Sequence, residues 1–398
     1  MKTATSKWAF WLGAALLVLP SFICIFLLMP IPAGQGLEWF ELAYFCHNWK
    51  YLLALIGLLL MIMPAIKIFK NFRWLKRIGL AILCLFCFGF FYAANVLMNP
   101  KNMFKQPEKL LLKKQDENKV SLSTSVIGIV KNEIAKAYPI SFLAYHHIVM
   151  DSIANQSFLV TYCSLCRSGR VFEPIANERK LSFTTIGVSK FNAILEDDQT
   201  GTWWHQETGE SIIGAFEKQQ LNELFSEQAS LRSWLQRYPE SFIMQPDSAS
   251  EQFYTWVAEI DNFDPLSMPK MSSRVEWNEN DWVVGIELDG IAKAYRWNDL
   301  LAKRVINDVI GNLQVVVALE NDLISFHVWQ TEIGGKILDF TFDSTGTKLV
   351  DVQSQSVWNW NGQCNEGQYI GKQLKPVQAY QEFWHSWKSF HSHTVQYN

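Results

Sequence analysis

The chain predicts an α+β fold in two unlike parts. An N-terminal three-helix transmembrane region, residues 1–98, precedes a β-rich extracytoplasmic domain made of two duplicated α+β units. Three observations predict this. Apolar runs of membrane-crossing length crowd the first quarter of the chain, a block of residues recurs at a constant offset, and short strand-like runs separated by turn residues fill the remainder.

Three apolar segments, at about 8–32, 51–69 and 78–98, each approach the roughly 20 residues that span a bilayer. Lys2 and Lys7 open the first, but its apolar run exceeds the about 7–15 residues of a signal-peptide core and lacks a small-x-small cleavage site. It therefore reads as a retained anchor, and the lipid bilayer is the expected partner of all three helices. Lys67, Lys70, Arg73, Lys76 and Arg77 lie between the second and third segments, whereas Lys50 stands beside Glu38 and Glu41 between the first and second. Positive residues favour the cytoplasmic side. The amino terminus is then cytoplasmic, the protein multi-pass in the cytoplasmic (inner) membrane, and the chain after Met98 periplasmic or extracellular. Lys101, Lys105, Lys109, Lys113 and Lys114 oppose that orientation, but long translocated domains are largely indifferent to charge. Trp39, Phe40, Tyr44, Phe45, Trp49 and Tyr51 read as lipid-surface packing, and Cys84 and Cys87 as small hydrophobes on one helix face.

Residues 99–124 read as a polar, Lys-rich tether with room for one short helix. The repetition follows. Val126 to Ile129 and Ile134 to Tyr138 return as Val283 to Ile286 and Ile291 to Tyr295, an offset of 157 positions. Asp151 then answers to Asp308, and Phe183 to Phe340. After small gaps Trp203 meets Trp358 and Gly214 meets Gly371. We place the first repeat at 125–244, a linker at 245–282 and the second repeat at 283–398. Each repeat opens with a β-hairpin, continues through a short helix and several strands, and closes on an aromatic helix, Leu231 to Tyr238 in the first and Gln378 to Phe390 in the second.

A repeat offers an internal control: positions serving the fold recur, whereas chemistry survives in one copy. Asp151 and Asp308 recur. Cys163, Cys166, His146 and His147 fall instead on Glu320, Leu323, Lys303 and Arg304. Two thiols on a turn between strands, with imidazole nearby, suit Zn or Cu. The candidate ligands are Cys163, Cys166, His146 and His205, with His147, Cys364 or water as further donors. Thiol-disulfide exchange is the alternative use, and a non-catalytic binding or scaffold protein is the third reading. Arg167 and Arg170 are expected to lower the thiol pKa whichever use applies. Glu196, Asp197 and Asp198 read as a solvated turn. A net charge of −3 over 398 residues leaves no nucleic-acid footprint. Gly-rich phosphate loops, Gly-x-Ser-x-Gly elbows and His-Glu-x-x-His pairs are missing from the sequence. Nothing in the sequence names a protein partner or decides whether the protein is an enzyme.

Several motifs in order, Lys136 to Pro139, His146 to Asp151, Val160 to Cys166, Gly187 to Ser189, Asp198 to Trp204 and Gly209 to Gly214, resemble the bacterial family known as domain of unknown function 3179. The second half, with Gln378 to Trp387, is similar to a membrane-anchored branch of that family. The resemblance implies an extracytoplasmic location and a family-wide Cys-x-x-Cys, but no reaction. Many members read Cys-Pro-Leu-Cys-Gly, whereas this chain has Ser164 and Arg167. Many also carry Glu at the place of His147, which makes His146 the better ligand candidate.

Overall fold

A computed structural model describes residues 2–71, 73–260, 263–265 and 276–397. Two compact units emerge, and they cut across the expected domain boundaries. One holds Met1–Lys105, Leu181–His205 and Glu210–Gln219; the other holds Gln106–Lys180, Gln206–Gly209 and Gln220–Asn398.

In the first unit three helices are long and apolar enough to cross a membrane, with spans Trp8–Leu28, Phe40–Lys67 and Trp74–Leu97. The second begins well before Tyr51, so most of the expected aromatic loop is helical. The first two helices approach closely because both contact residues lack side chains: a Cβ on Gly13 would meet the Gly57 carbonyl at 2.4 Å. Asn95 donates to Ser21 Oγ at 2.8 Å inside this apolar bundle. A four-stranded antiparallel sheet, in the order Ser211–Ile213, Trp203–His205, Asn192–Asp197, Phe183–Ser189, packs on the helices. Ile186, Ile194 and Trp203 share one apolar cluster with Leu27, Leu28 and Ala43.

The expected solvated turn is corrected here. Glu196 is buried, with Lys101 Nζ at 2.8 Å and His47 Nε2 at 3.4 Å. Burial opposes its charge, yet these partners hold its pKa down to about 2. Asp197 is also buried, and it accepts from Trp204 Nε1 at 3.1 Å. The corresponding Trp358 donates to Asp351 at 3.4 Å, so this network aligns Trp204, rather than Trp203, with Trp358.

In the second unit Ser125–Lys131 and Ile134–Pro139 form a hairpin, as do Trp282–Leu288 and Ile291–Arg296. Asn132 and Glu133 turn the first at φ 48° and 64°, and Asp289 and Gly290 the second at 50° and 76°. Positive φ at both central residues matches the right-handed strand twist. Contacts recur at the 157-residue offset. Tyr138 donates to Asp151 at 2.6 Å and Tyr295 to Asp308 at 2.9 Å. Lys136 lies 2.8 Å from Asp151 and Lys293 2.6 Å from Asp308. A Cβ on Gly128 would come within 2.2 Å of the Trp234 ring, and one on Gly285 within 2.2 Å of the Trp387 ring.

Three expectations change. The tether contributes a strand, Leu112–Lys113, paired with Ile243 and Met244. The linker carries the helix Glu251–Ile260, whose Tyr254 and Val257 enter the core, while residues 261–262 and 266–275 of that linker lie outside the described ones. The closing helix is shorter than expected, because Tyr380–Phe383 is a strand paired with Trp282 to Gly285 and the helix starts at Trp384. Sheet pairing there overrides a helical pattern of aromatics.

Candidate functional site

The thiols sit on a hairpin whose strands, Gln156–Cys163 and Ser168–Phe172, are buried on both faces over most of their length. Such strands read as near-continuous apolar runs. Cys163 pairs with Ser168, leaving a four-residue loop that ends on Arg167 at φ 60°. Cys163 and Cys166 are buried, and the two thiols are hydrogen-bonded to each other. Cys166 Sγ also lies 3.2 Å from Ser168 Oγ. Ser168 donates to Gln206 Oε1 at 3.1 Å, and Gln206 Nε2 donates to Thr161 Oγ1 at 2.9 Å. Burial pushes the Cys166 pKa well up, and the neighbouring Cys163 and Glu207 add to the rise. The expected lowering by Arg167 and Arg170 is corrected for this thiol, because burial and the neighbouring Cys163 and Glu207 raise its pKa.

Arg170 is engaged elsewhere. Its Nη2 donates to Glu207 Oε1 and, at 2.8 Å, to Glu382 Oε1, while Nε and Nη1 donate to the Glu207 and Gly169 carbonyls at 3.2 and 3.0 Å. The guanidinium stacks over the Tyr380 ring at 3.6 Å, and Tyr380 Oη donates to Glu223 at 2.8 Å. Burial drives the Glu207 carboxyl well above the usual carboxylate range despite Arg170, and its hydrogen bond with Glu382 reinforces this. Burial alone would lower the Arg170 pKa, but Glu207 and Glu382 raise it. Glu207 and Glu382 thus close around one fixed cation, an arrangement that leaves the buried guanidinium compensated. Sequence reasoning missed Glu207, Glu223, Tyr380 and Glu382. Glu382 lies 212 positions from Arg170, so no spacing pattern joins them.

The imidazoles take structural partners. His146 ends the helix Ile140–His146 and its Nε2 lies 2.6 Å from Tyr254 Oη. His147 follows in the left-handed conformation, φ 58°, with Nδ1 2.9 Å from the Tyr162 carbonyl. Burial lowers its pKa to about 4. His205 belongs to the other unit, where its ring meets the Phe40 ring edge-on at 6.0 Å. Burial lowers its pKa to about 4 as well. Cys364 is buried, its thiol 3.3 Å from the Glu366 carbonyl. Among the described residues no group of three His, Cys, Asp or Glu side chains is gathered to hold a metal ion. Of Cys163, Cys166, His146 and His205, the two thiols are the pair brought into mutual contact.

No curated protein and no solved structure matches the chain. The model of the family described as protein of unknown function (DUF3179) matches residues 109–394, from before the first opening hairpin to the C-terminal strand, and the chain belongs to that family.

Proposed function

We propose that the protein is a membrane-anchored thiol-disulfide module. Its three helices hold it in the cytoplasmic membrane, its amino terminus is cytoplasmic, and its β-rich part faces the periplasm or the extracellular side. That part is a duplicated scaffold, with repeats at 125–244 and 283–398, in which Cys163 and Cys166 are the convertible group. Mutual contact of two thiols on one turn, with no third metal-binding side chain gathered beside them among the described residues, is the observation that carries this reading. In the forward direction the two thiols lose two protons and two electrons and join as a disulfide, while a partner disulfide gains them and opens to two thiols. The raised Cys166 pKa makes exchange slow, since the thiolate is the nucleophile.

A second reading assigns the thiols to Zn or Cu, with His146 and His205 as co-ligands. Its support is that burial keeps His205 neutral, the ligating state of imidazole. Peptide-resolved alkylation of the detergent-solubilised protein, paired with elemental analysis, separates the two. The redox reading expects two alkylated cysteines in the 163–166 peptide after reduction, none after oxidation, and no stoichiometric metal. One Zn or Cu per chain, lost in Cys163→Ser, together with thiols that never close, sinks it in favour of the metal site.

A further inference from the structure

We propose that a small cavity among the apolar helices of the first unit binds a single halide ion, chloride or bromide. The site begins with spacing. Ser21 and Cys24 are three apart on the first helix, Lys2–Leu28, and His47 and Lys50 are three apart on the second, Phe40–Asn71, so each pair shares a helix face. The third apolar helix widens into a π turn at Ala93–Leu97, a device that recurs at functional sites, and Asn95 on that turn is buried. Together with Asn99 these residues line a cavity of about 30 Å³.

Lys50 supplies the observation that points to an anion. It is 9% exposed and lines the cavity, and its ammonium makes neither a hydrogen bond nor an ion pair among the described residues; what it meets is the Tyr51 ring, with Nζ 5.5 Å from the centroid. An ammonium carries three donors and no acceptor. Buried charge is strongly disfavoured unless a counter-charge stands beside it. The carboxylate that could serve is already engaged: Glu196 Oε2 holds Lys101 at 2.8 Å, while Oε1 meets Trp203 Nε1 at 3.3 Å and His47 Nε2 at 3.4 Å. Neither Asp nor Glu lines the cavity among the described residues. Ser21 adds a hydroxyl, whose oxygen accepts from Asn95 Nδ2 and whose proton is left to donate. A water needs about 10–15 Å³ of such space, so about 30 Å³ admits one small ion and is too little for a phosphate or a carboxylate-bearing molecule.

Lys50 and the thiol hairpin belong to different units, so this site stands whether or not the thiols cycle. The test is equilibrium dialysis of the full chain in detergent against radiolabelled chloride, paired with thermal unfolding in sodium chloride, sodium bromide and sodium gluconate at equal ionic strength. About one chloride per chain is expected, displaced by bromide and not by gluconate, and the melting temperature should rise saturably with either halide because the ion binds the folded state. Lys50→Met keeps the length of the side chain and removes the buried charge. It is expected to fold, to bind chloride at least about tenfold more weakly, and to melt at a temperature that no longer depends on halide. Ser21→Ala should weaken binding by a smaller factor. Water in the cavity beside an unpaired Lys50 would give no saturable chloride binding; that result, or equal affinity in folded Lys50→Met, overturns the proposal.

Discussion

Two hairpins in the second unit share strand pairing and differ in what they carry. In the first, Thr161 pairs with Arg170 and Cys163 with Ser168; in the second, Ala318 pairs with His327, and Glu320 N–H donates to the Ser325 carbonyl at 2.8 Å. Both loops hold four residues, but the left-handed residue is Arg167 in one and Leu323 in the other. A residue exchanged across that small difference changes the chemistry. The first loop folds Cys166 back onto Cys163, whereas in the second Asp322 caps the N–H groups of Ile324 and Ser325 at 3.0 and 2.8 Å. Glu320 stands where Cys163 does and bonds His327 Nε2 at 2.7 Å. His327 stands where Arg170 does, stacked against Trp329 with ring centroids 5.1 Å apart. The backbone conserves the pairing, and the loop φ and the facing acids decide the use.

The sharpest break of this comparison is charge removal. Arg170→Met leaves Glu207 and Glu382 buried without their cation, and the expected loss is about 3–5 kcal/mol in thermal or urea unfolding. His327→Ala should cost about 1–3 kcal/mol, because Glu320 keeps its Ser233 hydrogen bond. Equal losses would show that the acids around Arg170 do not depend on it.

Next comes pH. His147 and Arg304 occupy matching left-handed positions, and each bonds the matching carbonyl, of Tyr162 or Leu319. The imidazole is held neutral with a pKa of about 4, below its unfolded 6.5. Its contribution is therefore complete above pH 6.5 and is lost as pH falls towards 4, amounting to about 3 kcal/mol. His147→Asn, which tolerates the backbone, should flatten that part of the stability profile. Arg304→Asn should leave its shape unchanged, since a guanidinium does not titrate there. An unaltered profile in His147→Asn would remove His147 as its source.

The smallest effect tests what the hairpins share. Gly128→Ala and Gly285→Ala each drive a methyl into a Trp ring, and each should cost about 1–3 kcal/mol by overpacking. Matching unfolding losses would support one scaffold used twice. A loss in only one would mark a packing difference that the paired geometry does not reveal.

Much of this was legible from periodicity and turn chemistry. The three apolar helices, the opening hairpins and most strands follow from local pattern, because hydrophobic spacing and positive-φ turns act over few residues. The thiol turn was visible for the same reason: two cysteines and the strands around them are neighbours in sequence. Tyr380–Phe383 shows the limit. Its aromatics read as helix, yet pairing with Trp282 to Gly285 makes it a strand, and that strand delivers Tyr380 and Glu382 to Arg170.

By itself the sequence determined the apolar helices, the recurring blocks and the position of the dithiol, all set by side-chain pattern within a short window. Tertiary structure alone decided the rest. It turned His146 to Tyr254 and His205 into the other unit, surrounded Arg170 with acids from distant segments, and raised the Cys166 pKa by burial. Burial and charge pairing depend on which distant segments close around a group, and no local pattern carries that information.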